Sequence, residues 1–175
     1  MKIFKLLLVI GIISFFSFTL PKNVLKKVNK EIVKLYETEN FKLENVSISE
    51  DAIKTLGSKF NAEDFYKIII GEELAGYAYV DKAPSKTAQF DYLIILDQNL
   101  AIKKAKVLIY REEYGGEISS KRWLKQFIGK VKGHVISLNE DIIPISGATI
   151  SVRSMTNAVN ELLESLDYLH KNNSF

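Results

Sequence analysis

The sequence predicts an α+β fold: an antiparallel sheet of hairpins flanked by helices, in a single domain after an N-terminal export signal or anchor. Three observations lead there. Two pairs of β-branched, aromatic-rich segments fill the middle of the chain, each pair joined by a short turn sequence. Amphipathic stripes at helical spacing lie on either side of them. Strands and helices do not alternate in the way a parallel sheet requires. The 175 residues, 47% apolar and 26% charged, are enough for one buried core and show no tract polar enough for disorder.

The elements follow in chain order. Lys2 and Lys5 flank the start of an apolar run, Leu6 to Phe16, broken only by Gly11 and Ser14. A basic start before an apolar stretch of this length is the pattern of an export signal. The run falls short of the roughly 20 apolar residues of a free-standing membrane helix. Ser17 and Thr19 offer small residues at a cleavage site, and Pro21 stops any helix. Residues 1–20 are therefore expected to be a signal peptide or a membrane anchor. The working part is expected outside the cytoplasm, in the periplasm or on the outer face of the inner membrane, soluble after cleavage or held by the anchor.

Residues 21–60 are expected to form an N-terminal helical segment. Val24, Leu25, Val28, Ile32, Leu35 and Tyr36 recur at helical spacing from Lys22 to Glu37, with five lysines between them. Such a stripe suits a membrane surface, but packing against the domain is the commoner outcome and the one expected here. A second, shorter helix opens at Ser49, with Glu50 and Asp51 in its first turn, and ends at Gly57.

Residues 61–170 make up the principal domain. Strands are expected at Phe65–Ile70 and Leu74–Val80 around Gly71-Glu72-Glu73, then a loop with Pro84. A second hairpin joins Phe90–Leu96 to Ala101–Tyr110 through Asp97-Gln98-Asn99-Leu100. A helix over Ser119–Ile128, a strand at His134–Leu138 and a closing helix over Ser151–His170 complete the pattern. Met155, Val159, Leu162, Leu166 and Leu169 share one face of that last helix.

Several classes are excluded by composition. Without cysteine there are no disulfides, thiolate zinc sites, iron–sulfur clusters, c-type haem attachment or lipidated N-terminal cysteine. His134 and His170 alone do not suggest a metal site. The formal charge of +3 falls to +1 without Lys2 and Lys5, which gives no case for nucleic acid. Glu112 and Glu113 are adjacent, so on a strand they point opposite ways and make no acid/base pair. No nucleophile triad, phosphate-binding loop or dinucleotide fingerprint is present.

The chemistry is concentrated in Ser146-Gly147-Ala148-Thr149-Ile150-Ser151, just before the last helix. A glycine there lets backbone approach a ligand, and free first-turn N–H groups with the helix dipole favour a phosphate. Ser and Thr are equally the ordinary residues of a helix cap. A second block, Tyr110-Arg111-Glu112-Glu113-Tyr114-Gly115-Gly116-Glu117, is followed by Arg122-Trp123-Leu124-Lys125-Gln126-Phe127. Its glycines would bring amides close to a flat ring that Tyr114 or Trp123 could cover, or they would simply make a tight turn with Trp123 in the core. Two further polar features are a basic run (Lys121, Arg122, Lys125, Lys130 and Lys132), ordinarily a solvated face but able to meet a phosphate or an acidic partner, and the Lys82–Lys86 stretch beside the sheet.

Together the two blocks resemble the FMN-binding domain family, found in the G subunit of Rnf complexes, the C subunit of Nqr complexes and small exported proteins. The resemblance covers about Ile68 to Leu163. It implies covalent FMN on Thr149 through a phosphoester, placed there by a flavin transferase that consumes FAD and needs Mg²⁺. It further implies phosphate contacts from Ser146, Gly147, Ala148, Ile150 and Ser151. Ring contacts are implied at Glu113, Tyr114, Gly115, Gly116, Glu117 and Trp123. The transferase consensus has Asp three residues before the Ser, where this chain has Ile143, with Asp141 two residues further back. The expected function is an electron carrier serving membrane or envelope redox partners, with no catalytic residues or metal of its own. The alternative is a flavin-free envelope interaction module of the same fold. A reductase using diffusible FMN lacks any nicotinamide site.

Overall fold

The computed structural model describes residues 20–175, so the predicted export signal lies almost wholly outside the described residues. Helix α1 (Lys22–Tyr36) is followed by strand β1 (Lys42–Asn45) and helix α2 (Glu50–Leu56). Strands β2 (Phe65–Ile70), β3 (Glu73–Pro84), β4 (Gln89–Leu96) and β5 (Ile102–Ile109) come next. A one-turn helix α3 (Lys121–Leu124) and the long helix α4 (Thr149–Lys171) complete the chain. The five strands pair antiparallel in sequence order, so each connection is local and the sheet is a meander.

Alternation of side chains across the sheet separates two cores. On one face Phe65, Tyr79, Phe90, Tyr92 and Ile94 pack with Met155, Val159, Leu162 and Leu166 of α4. On the other, Ile68, Ala78, Val80, Leu93 and Ile95 pack with Val24, Val28 and Ile32 of α1. β4 is covered on both sides, so its sequence Phe90-Asp91-Tyr92-Leu93-Ile94-Ile95-Leu96 is buried throughout. The one carboxylate in that run, Asp91, pairs with Arg111 at 2.5 Å. The α1 stripe packs against the sheet, as its periodicity predicts.

Outside the start of α4, the structure departs from expectation in four places. β1 comes from the segment expected to be helical; its Lys-Leu-Glu-Asn sequence is a mostly exposed edge with little burial signal. β3 runs through Pro84, which pairs with Gln89 as the last residue of the strand, leaving Ser85–Ala88 as the turn. The helix expected over 119–128 is broken into a 3₁₀ turn at Gly116–Ser119, α3, and a second 3₁₀ turn at Lys125–Phe127. No strand forms at His134–Leu138. There the Ile136 N–H donates to Asn160 Oδ1 at 2.8 Å, and its C=O accepts from Asn160 Nδ2 at 2.9 Å. A side chain of α4 thus takes the place of a neighbouring strand.

Candidate functional site

Helix α4 begins two residues earlier than its apolar periodicity suggests, and this puts Thr149 in its first turn, exposed to solvent. The approach is a tight turn: the Ala148 N–H donates to the Ile145 C=O at 3.2 Å, and Gly147 has φ +82°. A turn with positive φ at its third residue favours glycine, which explains the Gly of Ser-Gly-Ala-Thr. Ala148 occupies the cap position and is 4% exposed. It offers no side-chain cap, and the first turn carries no acid. By contrast, α2 and α3 are capped by the hydroxyls of Ser49 and Ser120. The amino end of α4 therefore keeps unsatisfied amides and a favourable field for an anion.

The second sequence block meets this turn directly. Gly115 has φ +80°, and a Cβ added there would lie 2.8 Å from the Tyr110 hydroxyl and 3.3 Å from the Ala148 Cβ. Two small residues, one from each block, thus make the closest approach. Tyr110 fastens the same junction, donating its hydroxyl proton to the Tyr114 C=O at 3.0 Å. That leaves Ser151 as the donor in its 3.0 Å hydrogen bond to the Tyr110 oxygen.

Around this junction lies an open cleft of about 290 Å³ lined by Lys86, Tyr110, Glu112, Tyr114 and Gly147–Ser151. Tyr114, 82% exposed, and Ile150 present apolar surface beside Thr149. Glu112 also lines the cleft, but its carboxylate is engaged by the β3–β4 turn. It accepts from Ser85 Oγ at 2.6 Å, from the Thr87 N–H at 2.7 Å and Oγ1 at 2.8 Å, and from the Ala88 N–H at 3.1 Å. The Ser85 hydroxyl first, then the Thr87 donors, pull its pKa down to about 2. A carboxylate so held fixes the turn that carries Lys86, and leaves that ammonium as the cation lining the cleft.

The predicted residues divide. Gly147, Ala148, Thr149, Ile150, Ser151 and Tyr114 line the cleft, and Gly115 packs beneath it; Ser146 is exposed on the turn. Gly116 stands 4.0 Å from the Tyr110 ring by its would-be Cβ. Glu113 is exposed and lines neither this cleft nor the next one. Glu117 and Trp123 line a neighbouring cleft of about 460 Å³, with Ser120, Arg122, Gln126 and Ile143–Ile145. Trp123 is 4% exposed and stacks edge-on with Phe127 at 5.3 Å, so most of its ring belongs to the core.

The indole of Trp123 has a further task. Its Nε1–H donates to the Ile143 C=O at 3.0 Å, while Gln126 Oε1 accepts from the Ile143 N–H at 2.8 Å. Two residues of the helical segment thereby clamp the backbone three residues before Ser146. The Ile143 side chain points away, 70% exposed. Asp141, two residues before Ile143, is committed to other partners. It is held by Lys130 and accepts from the Ser137 N–H at 2.9 Å, and Lys130 first among these lowers its pKa to about 2.

Lys86 and Gln126 are the site features that sequence reasoning did not single out as site residues. Lys86 was visible only as part of a polar stretch, and Gln126 only as part of the motif after Trp123. Among the described residues no group of His, Asp and Glu is arranged to hold a metal ion. No described helix is long and apolar enough to cross a membrane. Residues 86–164 match the family model described as FMN-binding domain, and this interval contains both blocks. No curated protein matches the chain.

Proposed function

Since residues 86–164 match the family model described as FMN-binding domain, we propose that this protein is an extracytoplasmic electron carrier with FMN joined to Thr149 by a phosphoester. The observation that carries the proposal is an exposed hydroxyl on an uncapped helix turn, in a cleft built by both sequence blocks. The residues fit the group. First-turn amides of α4 and the Lys86 ammonium suit a phosphate, and the Gly147 turn leaves room beside it. Tyr114 and Ile150 offer apolar surface to a planar ring. FMN, when bound, supplies one- and two-electron chemistry.

The chain's own residues hold and orient. Glu112 fixes the turn bearing Lys86, and Trp123 with Gln126 fixes the strap leading to Ser146. A phosphoester serves retention, because a cofactor lost outside the cytoplasm is not replenished, and a tether keeps its effective concentration high. The implied partners are a flavin transferase using FAD and Mg²⁺, and redox proteins of the membrane or envelope. Ile143, standing where the transferase consensus has Asp, favours a second reading as a flavin-free envelope module.

One gel separates the two. Co-expressed with an active transferase, the chain should give a band that fluoresces after denaturation, and Thr149→Ala should lose that label while keeping its circular dichroism. An unlabelled wild-type band favours the flavin-free module. A label that survives Thr149→Ala moves the attachment elsewhere.

A further inference from the structure

A second cleft, of about 390 Å³, opens between α1, β5 and α3 and shares no residue with the cleft at Thr149. Its apolar lining is Leu35, Ala105, Leu124 and Ile128, the last 48% exposed. Six lysines surround these side chains: Lys34 from α1, Lys103, Lys104 and Lys106 from β5, and Lys121 and Lys125 from α3 and the turn after it. The one carboxylate lining the cleft is Glu31. It is already engaged by Lys104 at 2.7 Å and Lys34 at 3.4 Å.

Lysines on an exposed edge strand are commonly a guard against unwanted pairing, and β5 is such an edge. That accounts for the lysines of β5, but not for the convergence of cations from two other elements on the same apolar floor. Lys103, Lys106, Lys121 and Lys125 form no ion pair among the described residues. Lys103 stands over the Tyr36 ring at 4.8 Å and Lys106 acts on the Glu31 carboxylate from a distance, yet six cations still face a single carboxylate, so the rim is strongly positive and complementary to an anionic partner.

We infer that this groove is a docking site for an acidic, partly apolar segment of a partner protein. The shape favours a polypeptide over a bilayer. The surface is concave, a cleft of about 390 Å³ between three elements, and the apolar side chain it leaves open among the lysines is Ile128. A flat lipid surface meets the rim alone, whereas a chain segment enters with side chains directed to both floor and rim. The inference stands apart from the flavin proposal, since neither cleft lends the other a residue.

The test uses the full chain and a dye-labelled peptide in which Glu and Leu alternate, with binding read by anisotropy in low salt. Binding is expected, with loss in high salt as screening shortens the reach of the charges. Lys103→Glu, Lys121→Glu and Lys125→Glu together should weaken it by about tenfold or more. The matched variant Lys54→Glu, Lys59→Glu and Lys171→Glu carries the same charge change on other elements and should bind nearly as wild type. Circular dichroism of both variants reports folding, and Lys121→Gln with Lys125→Gln gives a milder variant that should still weaken binding. Three results overturn the inference: no peptide binding, equal loss in both triple variants, or association with phosphatidylglycerol vesicles in place of the peptide. Flavin content at Thr149 should be the same in every variant, so failure of either proposal is read separately.

Discussion

At the level of single residues, the site rests on smallness. Gly115 and Ala148 touch because neither has more than a Cβ to offer, and Gly115 also holds a positive φ. Gly115→Ala should therefore destabilise the protein twice over, through backbone strain and through a methyl 2.8 Å from the Tyr110 oxygen. A cost of about 1–3 kcal/mol is expected from chemical denaturation. A neutral outcome would mean that the two blocks are not pressed together as described. The glycines were legible in the sequence as turn residues. Their pressing against Ala148 was not, because it depends on a partner 33 positions away. The same reason hid the role of Glu112, whose hydrogen-bond partners lie 24 to 27 residues back, at Ser85–Ala88.

Secondary-structure elements were legible where burial imposed a period. The α1 stripe, the closing helix and both hairpins follow from side chains that must face a core. The segment between β5 and α4 obeys no such period, since its backbone groups are satisfied by single side chains such as Asn160 and Gln126. Apolar β-branched residues at 135–136 looked like a strand, yet Val135 is exposed and Ile136 is bonded to α4. The clamp on Ile143 is testable at this scale. Gln126→Ala should cost about 1 kcal/mol and speed hydrogen exchange at the Ile143 amide, with Trp123 still holding the carbonyl. Unchanged exchange at Ile143 would show that Gln126 does not hold the strap.

For the molecule as a whole, the sheet is the shared wall of two cores, and β4 faces both. Ile95 packs on the α1 side, whereas the only tryptophan, Trp123, packs on the α4 side. Ile95→Ala, emptying a fully buried position, should cost about 2–5 kcal/mol. Because one sheet joins the layers, tryptophan fluorescence and far-ultraviolet circular dichroism should shift to the same new midpoint. Separate midpoints would mean that the α1 layer melts independently. The α+β architecture was open to sequence reading for this reason, as two-sided burial leaves its mark on composition. The walls of the clefts were not, since they are assembled from stretches that only the folded sheet brings side by side.

Helix α4 is 23 residues long, about 34 Å, and its buried side chains run from Ser151 to Leu169. Thr149 stands at the tip of that mast. A passenger fastened there is moored to the hydrophobic interior itself, so whatever swing it has must come from its own flexible bonds while the mooring point stays still.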